Sequence, residues 1–183
     1  MEDFILKLVR ESIESFVKTG KKIPVPENYP EELNEKRGVF VTIYKKPNKL
    51  RGCIGFPYPQ IPLIQGLIEA SSAACRDPRF KPLKEKELHD IFIEVSVLTE
   101  PELIKVENPR EYLDKIKIGI DGLIIKRGIH SGLLLPQVPV ELGWRTEDFL
   151  ENLCMKAGLT IDSWLDSHSQ IYKFEARVIK EKL

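Results

Sequence analysis

The segment LRGCIGF, residues 50–56, places a thiol, a guanidinium and two glycines where a buried strand would carry branched apolar side chains. Side chains alternate between the two faces of a strand, so Arg51, Cys53 and Gly55 are predicted to share one face. A neighbouring guanidinium favours the thiolate and lowers the pKa of a thiol, which suits nucleophilic or ligand-contacting chemistry at Cys53. Gly52 and Gly55 would let a ligand or another backbone come close.

The same residues also fit a purely structural role, and both interpretations stay open at the level of sequence. Cys53 would then be a small buried side chain in a tight sheet bend, and Arg51 would belong to a structural ion pair. No histidine or carboxylate stands at a spacing that marks it as the base for Cys53, so a catalytic dyad is not predicted.

The segment RDPRF follows a predicted helix and places Asp77 and Arg79 in a constrained loop. Arginine in such a loop can bind a carboxylate or a phosphate through two parallel hydrogen bonds. The alternative is that Asp77 and Arg79 tie down the loop, because Asp-Pro is a common start of a turn.

The run IFIEVSVL, residues 91–98, predicts a strand with one apolar face and with Glu94 and Ser96 on the other. Glu94 either faces water or lines a polar groove. No metal site and no cofactor are predicted, because the histidines have no metal-ligand spacing to one another or to a cysteine and no nucleotide-binding motif occurs: His89, His130 and His168.

The elements that must position these residues follow from periodicity. Apolar residues at helical spacing predict a helix over 4–17 that stops at Gly20. GVFVTIYK, the turn KPNK and LRGCIGF predict a hairpin, which is followed by a helix over about 61–75.

A second set of elements begins with a short helix in PREYLDKI. DGLIIKR and SGLLLP predict a second hairpin, which Pro136 and Pro139 interrupt, and a helix follows over about 147–157 with Thr146 as its N-cap. QIYKFEARVIKE predicts one closing alternating strand. The two sets have the same order, which predicts an internal duplication of units at about 38–98 and 122–179 within an α+β, mainly antiparallel fold.

Composition limits the function classes. Acidic and basic residues balance at 28 each among 183 residues, which argues against nucleic-acid binding as the main role. The amphipathic N-terminus lacks a signal-peptide core, and no apolar run is long enough to span a membrane. Three cysteines without CxxC spacing argue against disulfides and favour the reducing cytoplasm, while 13 prolines are typical of a thermophile.

Six blocks in order resemble the AMMECR-type domain family, and most closely its prokaryotic branch. The blocks are LRGCIGF, ACRDPRFKPL, IEVSVLTEP, GLLLPQV, ELGW with FLENLCMKAGL, and YKFEARV. The resemblance covers residues 4–178, and LRGCIG is the family's signature. It implies that residues 1–183 form one α+β domain with a larger and a smaller lobe, in which two β-rich repeats make a continuous, barrel-like antiparallel sheet.

The resemblance does not imply a reaction, so several function hypotheses stand side by side. The first is an enzyme or binding protein for a small anionic ligand, with Cys53 as its catalytic or contacting thiol in a groove lined by Arg51, Gly52, Gly55, Asp77, Arg79 and Glu94. The second is an adaptor that binds a protein partner, since prokaryotic members are often encoded beside Memo-type and radical-SAM proteins. The third, nucleic-acid binding, is disfavoured by the neutral charge.

Overall fold

A computed structural model describes residues 1–182 of the chain. The chain divides into two compact units, one formed by Met1–Leu98 together with the chain from Arg177, and one formed by Thr99–Ala176. Each unit has its own sheet and its own apolar core.

The first unit opens with helix α1, Glu2–Thr19. Its apolar residues recur every three to four positions, so one stripe faces the core and buries Leu8, Val9 and Ile13. The helix ends at Gly20, which adopts a left-handed conformation with φ of 73° and closes the last turn through its N–H to Phe16.

A four-stranded sheet with the order β2-β1-β3-β8 forms the rest of the first unit, together with one further helix. β1 pairs antiparallel with both β2 and β3. The apolar face of the sheet packs on the helices and contains Val41, Ile93 and Val95. The elements are β1 (Gly38–Lys45), β2 (Lys49–Phe56), α2 (Leu63–Ala74), β3 (Ile91–Leu98) and β8 (Ala176–Lys180).

The second unit has a sheet with the order β4-β7-β5-β6. Phe149, Leu153 and Trp164 fill its core against that sheet. The elements are β4 (Glu102–Leu103), α3 (Tyr112–Lys115), β5 (Gly122–Arg127), β6 (His130–Leu134), α4 (Gln137–Glu141), α5 (Thr146–Lys156) and β7 (Gln170–Phe174).

The α+β class and the antiparallel pairing are confirmed, but the expected continuous barrel-like sheet is wrong. The strands form two separate open sheets, which end at β2 and β8 in one unit and at β4 and β6 in the other. The expected single closing strand is also wrong, because QIYKF forms β7 in the second sheet and ARVIK forms β8 in the first.

One local prediction at the last long helix also fails. Thr146 is not the N-cap of α5, because Arg145 occupies that position and the Asp148 carboxylate accepts its backbone N–H at 2.9 Å. β6 ends at Leu134, before Pro136 and Pro139, so the predicted interruption of the second hairpin is confirmed. Pro139 lies within the first turn of α4, where a proline needs no hydrogen-bonded N–H.

Three strands of each unit are arranged in the same order around a central strand. β1 lies between β2 and β3, and β5 lies between β6 and β7. The register is also equivalent, because Gly38 pairs with Leu98 where Gly122 pairs with Phe174. The duplication of residues 38–98 and 122–179 stays a prediction, since shared topology alone does not establish a common origin.

Within residues 1–182, no helix combines the length and the apolar character needed to cross a bilayer.

Candidate functional site

A row of polar side chains crosses the sheet of the first unit on the face opposite its apolar core. Thr42 on β1 pairs with Cys53 on β2 and with Glu94 on β3, so the three side chains project from one line across the strands. Lys180 on β8 extends the row, because its Nζ lies 2.6 Å from Glu94 Oε2. The sequence pattern predicted Cys53 and Glu94 as site residues, but it gave no sign of Thr42 or Lys180.

Cys53 is a partly exposed thiol whose pKa lies above its ordinary value. Thr42 Oγ1 donates a hydrogen bond to its Sγ at 3.2 Å. Burial raises the pKa of Cys53 above that of an ordinary thiol, and the charges of Asp77 and Glu94 add to the rise. The Thr42 hydrogen bond and the Arg79 charge oppose that rise without cancelling it. This direction runs against the activated thiolate expected from the sequence, and a catalytic role for Cys53 stays a prediction.

Arg51 does not act on Cys53, and the reason is a β-bulge. Gly52 pairs with Ile43 and Leu50 pairs with Tyr44, so Arg51 has no partner on β1. Its guanidinium instead forms a two-bond ion pair with Glu87, at 2.9 Å from Nε and 3.0 Å from Nη2. This contact lowers the pKa of Glu87 and anchors the 3-10 helix of residues 85–90 to β2.

The Asp77 and Arg79 side chains cover the free edge of β2 at Cys53. Asp77 Oδ2 accepts the backbone N–H of Cys53 at 2.9 Å, and Arg79 Nη2 donates to the Cys53 carbonyl at 3.3 Å. One acceptor and one donor thus replace the missing neighbour strand. The alternative that these two residues tie down their own loop also holds, because Asp77 Oδ1 accepts the backbone N–H of Arg79 at 3.0 Å.

The Asp77–Arg79 pair is held by two contacts and is asymmetric in its exposure. Two guanidinium nitrogens of Arg79 contact the carboxylate, at 3.0 Å from Nε and 2.6 Å from Nη2. The Asp77 side chain is 1% exposed and the Arg79 side chain 57%. Hydrogen bonds from Arg79 lower the pKa of Asp77 to about 2, against the opposing effect of burial. The carboxylate therefore stays charged near neutral pH and holds Arg79 in place.

The two glycines make room for protein rather than for open space. A Cβ on Gly52 would overlap the carbonyl oxygen of Ala74, so this glycine lets β2 pack against the last turn of α2. A Cβ on Gly55 would overlap Val39 O and the ring of Phe40. Gly52 and Gly55 were predicted as ligand-binding residues, and their close contacts with protein support the structural alternative.

Ser96 is a further polar residue on this face of the sheet. It lies two residues beyond Glu94 on β3, and its register partner is Phe40. Its side chain is buried, and no hydrogen-bond partner for Oγ exists among the residues that the structure describes. The alternation of IFIEVSVL placed Ser96 on this face but gave no sign that its hydroxyl would lack a partner.

The other two cysteines differ clearly from Cys53. Cys75 and Cys154 are buried in the cores of their units, and burial raises their pKa values to about 12 and about 11. Across residues 1–182, no three His, Cys, Asp or Glu side chains are grouped in a way that could hold a metal ion. Cys53 therefore differs from Cys75 and Cys154 by its partial exposure.

The family model AMMECR1 matches residues 6–179 of the chain. This chain belongs to the AMMECR1 family. "Protein MJ0810" of Methanocaldococcus jannaschii is 56% identical over 180 residues, which cover 97% of this chain and 89% of the relative. "Protein MK0488" of Methanopyrus kandleri is 51% identical over 184 residues, with 98% of this chain and 88% of the relative covered.

A solved structure of an AMMECR1-family relative has the same fold. The crystal structure of an uncharacterized protein, PH0010 from Pyrococcus horikoshii, superposes with a TM-score of 0.94 at 50% identity. The match covers 98% of this chain and 90% of the crystallised chain. The names of these relatives state no ligand, partner or reaction.

Proposed function

We propose that this AMMECR1-family protein binds a small anionic ligand beside Cys53, and that Arg79 supplies the positive charge that recognises it. The observation that carries the proposal is the arrangement of the Arg79 guanidinium. A buried carboxylate and the carbonyl of Cys53 hold it, while its side chain stays 57% exposed. Within residues 1–182 its Nη1 atom makes no hydrogen bond, so it presents free donors to an incoming anion.

Rigidity makes such an arginine a good anion contact. A free surface arginine loses side-chain entropy when it closes on a ligand, whereas Arg79 is already ordered by Asp77. Carboxylate and phosphate groups both match the planar guanidinium. The proposed ligand is therefore a small molecule that carries a carboxylate or a phosphate group.

Cys53 acts in this proposal as a contact and not as an activated nucleophile. Its raised pKa leaves the thiol protonated near neutral pH, and the Thr42 hydroxyl already fills one of its hydrogen-bonding positions. Glu94, which is 3% exposed, takes part through its ion pair with Lys180 and lines the same face. The contacts of Arg51, Gly52 and Gly55 support structural roles for those three residues.

The test compares two alkylating reagents of different charge at Cys53. Iodoacetate carries a carboxylate and iodoacetamide does not, so the ratio of their rates measures attraction of an anion to the site. We expect Arg79→Gln to lower the iodoacetate-to-iodoacetamide rate ratio about fivefold, as the loss of one nearby positive charge predicts. Peptide mapping separates Cys53 from Cys75 and Cys154.

Two variants keep this test specific. Arg76→Gln removes a neighbouring exposed charge that lies 4.8 Å over the Phe16 ring, and it is expected to leave the ratio unchanged. Arg79→Lys keeps the charge and is expected to retain most of the wild-type ratio. An equal fall in both glutamine variants, or no fall in Arg79→Gln, would remove the basis of the proposal.

The remaining sequence-based predictions are independent of this site. A protein partner, a cytoplasmic location and a thermophilic source stay predictions, although the archaeal relatives support the last of them.

A further inference from the structure

We infer that Ser96 is a second contact for the same ligand, which therefore carries a hydroxyl or carbonyl oxygen at the end opposite its anionic group. The inference rests on the proposed function, because it takes the anionic end to lie at Arg79 and Cys53. It adds the chemistry and the length of the rest of the molecule.

The first observation is that the buried hydroxyl of Ser96 has no hydrogen-bond partner among the described residues. A buried polar atom nearly always has a partner, and leaving one unpaired is unfavourable. Ser96 Oγ is buried without a partner among the described residues, in a strand whose other side chains are mostly apolar. An alanine would fit the same position without that penalty, so the serine is explained by a group that it meets in the working protein.

The second observation is the neighbourhood of Ser96 on the sheet. Phe40 stands beside Ser96 on β1, but its ring lies against Gly55 on β2. A side chain on Gly55 would overlap that ring, so the glycine allows the ring to turn toward β2.

Sheet geometry gives the length of the ligand. Cys53 on β2 pairs with Thr42 on β1, and Ser96 on β3 pairs with Phe40 on β1. Thr42 and Phe40 are two residues apart, so Cys53 and Ser96 lie on the same face, two strands apart and two residues apart along the strand direction. Two strand spacings and two residues along the strand correspond to about 10–12 Å. A linear molecule of six to eight atoms has about this length, which fits a small hydroxylated or amide-bearing organic acid or phosphate monoester.

The test uses two neutral alkylating reagents that start at Cys53 and reach toward Ser96. N-(5-hydroxypentyl)iodoacetamide and N-hexyliodoacetamide have the same length. The first ends in a hydroxyl group and the second in a methyl group. We expect Ser96→Ala to lower the hydroxypentyl-to-hexyl rate ratio at Cys53 about fivefold, the effect of one hydrogen bond. Ser72→Ala is the matched control and leaves the ratio unchanged, because the Ser72 hydroxyl donates to Glu69 O elsewhere in the unit.

Thermal unfolding of Ser96→Ala supplies the second readout. If the hydroxyl serves a ligand, the variant is at least as stable as the wild type, since an unpaired buried group has been removed. An unchanged rate ratio overturns the inference, and so does a clearly less stable variant, because the hydroxyl would then have a structural partner such as a water molecule.

The two proposals fail in distinguishable ways. Ser96→Ala is expected to keep the iodoacetate preference of Cys53, which depends on Arg79. A loss of the hydroxyl effect in the test, with the Arg79 effect intact, rejects only the contact at Ser96. A missing Arg79 effect rejects the anionic end of the ligand, whatever the Ser96 result.

Discussion

The two sheets of this protein place chemically different rows at equivalent positions. In the first unit the row is Cys53, Thr42 and Glu94. In the second unit Lys126 on β5 pairs with Ser131 on β6 and with Gln170 on β7. Strand order and register are the same, so the difference lies in the side chains alone.

Burial separates the rows as clearly as composition does. Thr42 and Glu94 are buried, at 4% and 3% exposure, whereas Ser131 and Gln170 are exposed. A hydrogen bond or a charge acts more strongly where water is excluded. The shared topology therefore supplies the geometry of both rows, while burial strengthens the hydrogen bonds and charge interactions of the first row.

Each unit also has an Asp–Arg ion pair, and the pair in the first unit is again the one with the more buried carboxylate. Asp77 is buried and holds Arg79 against the backbone of Cys53. Asp166 is paired with Arg127 at 2.5 Å, but both side chains are about one-third exposed. Only the first pair is expected to matter for stability.

The largest expected effect tests the packing that allows the first row to form. Gly52→Ala would place a Cβ on the backbone carbonyl of Ala74, and neither strand nor helix can yield cheaply. We expect a loss of about 3 kcal/mol in the free energy of unfolding, measured by denaturant titration.

The control for this substitution lies in the other hairpin. Gly128 has φ of 58°, and no atom of the described residues 1–182 lies within 4 Å of a Cβ built there. Gly128→Ala is expected to lose only about 1 kcal/mol, from backbone strain. Equal losses would show that the contact with Ala74 is not what sets the cost at Gly52.

The next effect tests the buried Asp–Arg pair. Asp77→Asn removes the charge that holds Arg79, and we expect a loss of about 2 kcal/mol in unfolding free energy at pH 7. The folded-state pKa of Asp77 is lowered to about 2 from 3.8, so this contribution is present above pH 3.8 and disappears as the pH falls toward 2. Urea titrations at several pH values measure both features.

Asp166→Asn is the matched control for Asp77→Asn in the second unit. Its carboxylate is partly exposed, so we expect no measurable loss of stability at pH 7. A loss from Asp77→Asn that persisted unchanged at pH 2 would mean that packing, and not the charge of Asp77, accounts for the effect.

A third prediction compares the rows directly by giving both a thiol. Ser131→Cys places a cysteine at the register position equivalent to Cys53, where the side chain is exposed. We expect this introduced thiol to react with iodoacetamide about tenfold faster than Cys53 at pH 7, since burial raises the pKa of Cys53 alone. Peptide mapping of one protein reports both rates, and a slower reaction at the introduced thiol would show that exposure does not distinguish the rows.

The smallest expected effect concerns ion pairs. Arg51 and Glu87 are 15% and 18% exposed, and a double-mutant cycle with glutamine at both positions is expected to give a coupling of about 1 kcal/mol. The exposed pair of Lys115 and Glu111 is expected to give no measurable coupling. In the same Arg51→Gln variant, the pKa of Cys53 measured by alkylation should not change. A rise in that pKa would show that the Arg51 guanidinium does lower the pKa of Cys53, as the strand alternation first predicted.

The sequence was sufficient to predict the hairpins and most helices. GVFVTIYK and LRGCIGF alternate, and the turn between them contains proline and asparagine, so both strands were found. Local signals of this kind determine an element but not its distant partners. Asp77 is 24 residues away from the Cys53 N–H that it accepts, and no local pattern encodes that contact.

The failures have specific physical causes. Strict alternation put Arg51 beside Cys53, and the β-bulge removed that relation. YKFEARV alternates through Glu175 without a turn signal, so its division between two sheets was hidden. The free hydroxyl of Ser96 was equally hidden, since the absence of a partner is a property of the packed structure.

The placement of β8 has a consequence for synthesis on the ribosome. Buried Glu94 forms an ion pair with Lys180, and half-buried Arg10 forms one with Glu181. Lys180 and Glu181 are synthesised only after the whole second unit. Domains generally begin to fold as they emerge. A nascent first unit would therefore wait, with two charges unpaired, while the second unit is translated, and we expect prematurely terminated chains to be good substrates for cellular proteases.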